Sequence, residues 1–144
     1  SGRGEDHVRI RNESRYPADE VRKLVRYGMR GLDVQRTVVR VVDATRRAWD
    51  GRVHCSGRAN GWGVVIRLAP EEYYPYEGWR RHRSSPWNHD FVDWREALVA
   101  LAAHEGKHVD IPLAYCRRPS KQRVEMACEA YERLILDRYR QEVA

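Results

Sequence analysis

The run His104-Glu105-Gly106-Lys107-His108 constrains this chain more than any other stretch. On an α-helix, positions four apart share a face, so the two imidazoles can reach one common point. Glu105 sits about 100° around the helix from His104, near that point without occupying it. Two imidazoles and a neighbouring carboxylate suit a zinc ion, with the carboxylate free to take a proton from the ion's water. The expectation is metal-assisted hydrolysis, with Zn2+ as cofactor, His104 and His108 as ligands and Glu105 as general base.

The motif ends a strong helical pattern. Phe91, Trp94, Leu98, Leu101 and Ala102 recur at helical spacing, which predicts a helix from Pro86 to His108. Ser85 would cap it with Pro86 in its first position, and Asp110 and Pro112 would close it. A second helix is predicted from Pro119-Ser120 to about Arg140. Its apolar stripe is Val124, Cys128, Tyr131, Ile135 and Tyr139, with Glu125, Glu129 and Glu132 on an adjacent face.

A catalytic zinc usually has three protein ligands. No histidine follows His108, so the third donor must be an acid: Asp110, Glu125, Glu129, Glu132 or Asp137. Asp110 is too near His108 to face the same ion. Glu125 is the leading candidate, and Glu129 one turn later the second. With Glu125 as ligand, Glu129 would accept the N–H of a ligand histidine.

The rest of the chain reads as an α+β domain. Pro17-Ala18-Asp19-Glu20 opens a helix carrying Val21, Leu24, Val25 and Met29. Val34 to Val42 reads as a strand, and so do Arg52 to Arg58 and Trp62 to Leu68, with Asn60-Gly61 as a hairpin turn. Tyr73 to Pro86 reads as a long loop. Residues 1–16 are polar and arginine-rich, and a flexible arm is expected there. Residues 1–144 form one expected domain.

A hydrophobic content of 42% argues against disorder, and no apolar run is long enough to span a membrane. No secretory signal pattern opens the chain. Cys55, Cys116 and Cys128 are odd in number and lack C-x-x-C spacing, so free thiols in the cytoplasm are expected. The net charge is +6 and all 27 basic residues but Lys23, Lys107 and Lys121 are arginine. They are scattered, which favours a solvated surface; a nucleic-acid partner through that surface stays open.

H-E-x-x-H followed by E-x-x-x-[DE] on a second helix resembles the gluzincin metallopeptidases, over about Val34 to Arg140. The resemblance implies a zincin-like core: a small twisted mixed sheet packed on an active-site helix and a C-terminal glutamate helix. It implies a monomeric zinc endopeptidase acting on a protein or peptide. His104, His108 and Glu125 would bind zinc, Glu105 would be the general base, and Glu129 would support a ligand. The longer H-E-x-x-H-x-x-G-x-x-H pattern fails, because Ile111 and Ala114 replace glycine and histidine. No further domain is expected to supply an oxyanion-stabilising side chain, which leaves Tyr115, Tyr131, His82 and His89 as candidates. The Asn60–Leu68 strand is the candidate edge for substrate; specific substrate-binding side chains are unknown. Two alternatives stay open: a DNA-associated SprT-like protease or regulator, and a non-catalytic zinc-stabilised binding module.

Overall fold

A computed structural model of the chain describes residues 8–55, 61–111 and 120–144. The elements in order are β1 (Arg9–Glu13), α1 (Ala18–Gly28), β2 (Thr37–Asp43), β3 (Asp50–Cys55) and β4 (Trp62–Leu68). A short 3-10 turn (Glu71–Tyr73) precedes β5 (Tyr76–Trp79), β6 (His89–Phe91), α2 (Trp94–Asp110) and α3 (Lys121–Val143).

The main sheet has the order β1-β2-β4-β3. β1 and β4 each run parallel to β2, and β3 runs antiparallel to β4. The fold is therefore α+β, with three helices among the described residues and a small mixed sheet. Residue type explains the faces. Val39 and Val41 of β2 and Val64 and Ile66 of β4 are fully buried. Arg40, one position out of phase, is exposed. Burying one face of a β-branched pair of strands against helices supplies the core.

α2 lies at the centre, packed on α1, α3, β3 and β4. Its run Ala97 to Ala103 is buried throughout. Small side chains let α1 approach closely: a Cβ built at Gly28 would stand 2.8 Å from Ala102 Cβ. Among the described helices, none is long and apolar enough to cross a membrane.

Several expectations are corrected. The arm expected over 1–16 is, from Val8 onward, part of the fold. Val8 and Tyr16 are 3% exposed, and β1 joins the sheet edge. Tyr16 stacks on Trp94 at 4.4 Å and its hydroxyl donates to Ala69 O at 2.5 Å. The strand escapes sequence notice because only Ile10 and Asn12 face inward between Arg9, Arg11 and Glu13.

The central helix starts at Trp94, not Pro86. Asp93 caps it by accepting from Arg95 N and Glu96 N at 3.0 and 3.1 Å. His89 and Phe91 instead alternate inward in β6, which pairs with β5. Phe91 and Trp94, three apart, fit a helical period, whereas His89 and Phe91, two apart, fit a strand, and the capping carboxylate decides between them. β4 is not an edge, since β2 and β3 flank it; the free edge on that side is β3. Asn60 of the expected turn lies outside the described residues.

Candidate metal centre

The last two turns of α2 present His104 and His108 on one face, with ring centroids 5.1 Å apart. α3 runs alongside and turns Glu125, Cys128 and Glu132 toward them. Glu125 Oε1 accepts from His104 Nε2 at 3.0 Å and from His108 Nε2 at 2.7 Å. Its other oxygen, Oε2, is buried with no hydrogen-bond partner among the described residues. The ligand atoms of His104, His108 and Cys128 all lie within 4.8 Å of one another, so this group could hold a metal ion.

The second nitrogen of His104 is held as firmly as the first. Nδ1 donates to Glu132 Oε1 at 2.8 Å. The same carboxylate accepts from His89 Nε2 at 2.5 Å and from Arg81 Nη2 at 2.7 Å. His104 is 1% exposed and Glu132 2%, so this network operates where water does not screen it.

The protonation states follow from these contacts. Burial opposes charge on His104, but the bonds to Glu125 and Glu132 outweigh it and hold the imidazolium up to about 9. Bonds from His104 and His108 hold Glu125 well below the usual carboxylate range. For Glu132, burial is again overcome, by His104, His89 and Arg81, and the carboxyl is held low. Burial raises Glu105. Burial, and then the Glu125 charge, raises the Cys128 thiol.

Glu105 lies in the same cleft as the two histidines, against the sheet. Its carboxylate lies under β3, where a Cβ built on Gly51 would stand 2.6 Å from Oε2. Arg81 Nη1 approaches the same oxygen at 3.5 Å, with the guanidinium 5.1 Å over the Trp79 ring. Gly51, Arg81, Glu105, His104, His108 and Glu125 line one cleft of about 500 Å³.

The donor set suits zinc. Ligands at about 2.0–2.1 Å from zinc stand roughly 3.3–3.4 Å apart around a tetrahedron. The 3.0 and 2.7 Å spacings around Glu125 Oε1 would therefore open by only about half an ångström. The unpartnered Glu125 Oε2 is a buried acceptor that a cation would satisfy.

Comparison with protein-family models, curated proteins and solved structures finds no match to this chain.

Of the residues expected from sequence, the structure brings His104, His108 and Glu125 together, with Glu105 in the same cleft. Glu129 is a correction. It accepts from Ser85 Oγ, and the histidine N–H goes to Glu132 instead. Helix geometry explains this: a step of four residues lands about 40° off the starting face, and a step of seven only about 20°. The spacing Glu125 to Glu132 was the available signal, as was Cys128 at three residues, which reads equally well as core.

Arg81 and His89 carried no local signal, because the β5–β6 pair delivers them. Of the oxyanion candidates, His82 lines the cleft and bonds Ser84, and His89 is committed to Glu132. Tyr131 donates to Arg30 O. Tyr115 lies outside the described residues. Asp110 accepts from Asp33 N and pairs with Lys107, away from the centre.

Proposed function

We propose that the chain is a zinc-dependent endopeptidase with a zincin-like core, working in the reducing cytoplasm. The observation that carries this is the convergence of His104 Nε2 and His108 Nε2 on one oxygen of Glu125, with Glu105 lining the same cleft. Zinc there would supply Lewis acidity at a carbonyl and lower the pKa of water to about 7.

The protein's own groups would do the rest. Glu132 fixes the His104 ring so that Nε2 faces the ligand set. Glu105, raised by burial, is suited to accept a proton at Oε2 and return it to a leaving amine. Arg81 orients the Glu105 and Glu132 carboxylates and brings a guanidinium to the cleft. A peptide would add to the free edge of β3, where Gly51 lets the Glu105 carboxylate lie against the strand. The unpaired thiols Cys55 and Cys128 suit a reducing compartment.

The test is metal analysis of the protein purified without chelators. About one zinc per chain is expected. Glu105→Gln should keep the metal and lose cleavage of an unfolded protein substrate. A wild type that takes up no zinc would sink the reading.

One observation favours a second reading. Cys128 stands within ligand reach of both histidines. As a fourth ligand beside Glu125 it would close the centre and make the metal structural. Cys128→Ser separates the two: a structural centre unfolds without the thiolate, whereas a catalytic one keeps zinc and cleavage.

A further inference from the structure

The helices cover one face of the main sheet and leave the other open. Strand register fixes what lies there. Arg9, Val38, Gly63 and His54 form one cross-strand row; Arg11, Arg40, Val65 and Arg52 the next; Glu13, Val42, Arg67 and Asp50 the third. Arg9, Arg11, Arg40, Arg52 and Arg67 are all exposed. Five arginines thus face two carboxylates.

Two of the arginines are committed. Arg40 pairs with Glu13 at 2.9 Å, and Arg67 pairs with Asp50. Arg9, Arg11 and Arg52 form no ion pair with any described residue. The uncommitted positive charge of β1 and β3 is therefore gathered into two adjacent rows. Between the guanidinium groups the surface is apolar. Val38 and Val65 are half-buried, and the His54 ring lies over Gly63, where a Cβ would stand 2.3 Å from it. Asp50, Gly51, Arg52, Val65 and Arg67 line a shallow recess of about 440 Å³ at one end.

We infer that this outer face binds the phosphate backbone of a nucleic acid. Arginines two apart on a strand are roughly 6.7 Å apart, and neighbouring strands about 4.8 Å, which yields a grid of planar forks suited to successive phosphates. The apolar floor and the imidazole offer a sequence-tolerant surface for bases. An acidic peptide would match the charge but leave that floor unused. The inference does not depend on the peptidase reading. It places a polyanion beside the cleft, because Arg52 also lines the latter.

The experiment is fluorescence anisotropy of the full chain with a labelled single-stranded DNA oligonucleotide and with its duplex. Neutralising three phosphates predicts that a fourfold rise in salt weakens binding roughly 20- to 40-fold. R9Q/R11Q/R52Q should weaken low-salt binding by about tenfold or more and flatten the salt dependence. R9K/R11K/R52K should restore the slope and guards against a folding defect. K23Q/R26Q/R138Q, which removes the same charge from the helices, should bind like the wild type. Three results overturn the inference: no binding at low salt, equal losses from the two glutamine triples, or polyglutamate binding as tightly as the oligonucleotide.

Discussion

Glu132 accepts the Nδ1 proton of His104 at 2.8 Å, across the packed interface of α2 and α3. This bond sets the ring so that Nε2 faces Glu125, and Arg81 and His89 in turn fix the carboxylate. Glu132→Gln keeps the shape and removes the charge. It should weaken zinc affinity by about 10- to 100-fold. Chelator competition reads this directly, and unchanged affinity would leave Glu132 a purely structural group.

Glu125 and Glu129 should separate cleanly. Glu125→Ala is expected to strip the centre, seen as loss of stoichiometric zinc at neutral pH. Glu129→Ala should retain zinc and lose about 1.5–3 kcal/mol of stability with the charged hydrogen bond from Ser85. Urea midpoints and metal content measured on both proteins give the answer; zinc loss in the Glu129 variant would restore it to the centre.

Gly51→Ala tests the contact between β3 and Glu105. A methyl there would stand 2.6 Å from the Glu105 carboxylate, so strand or carboxylate must move. Cleavage should fall by tenfold or more on the scale of about 1.4 kcal/mol per decade, while zinc content holds. Normal activity would show that Glu105 has room the structure does not suggest.

Alkaline stability should be set by buried phenols. Burial raises Tyr74 far above its ordinary value of 10.0, against a smaller opposing effect of the Trp49 N–H. Burial likewise raises Tyr16. A raised folded-state pKa means stability is intact below about pH 10, the unfolded value, and lost as pH rises above it. Unfolding midpoints should therefore drop above pH 10, in addition to the decline between about pH 6.5 and 9 that the raised His104 contributes. Tyr74→Phe should flatten part of that drop, while removing the acceptor for Trp49 Nε1. Equal drops in both proteins would assign the transition elsewhere.

What was legible in the sequence was what is local. His104 and His108 share a helix face by period alone, and Glu125 lies on a helix whose boundaries its own residues signal. The β3–β4 pair follows from alternation around a turn. What stayed hidden depends on contacts between distant segments. Arg81 and His89 reach Glu132 from 51 and 43 residues away, through two short strands that resemble loop and helix. β1 hid because its inward face is one isoleucine and one asparagine. Sheet order was also invisible, so β4 looked like an edge and the arginine grid looked like scatter.

The free edge of β3 has a consequence for solubility. An exposed strand edge invites pairing with another copy of itself, and folded proteins blunt such edges with charge and short length. β3 is six residues long, bears Asp50, Arg52 and His54 on its outer side, and has a glycine at its second position. Replacing Arg52 and His54 by valine would leave a longer apolar ribbon with unpaired backbone groups. The open edge beside the cleft would then drive the chain to aggregate with itself.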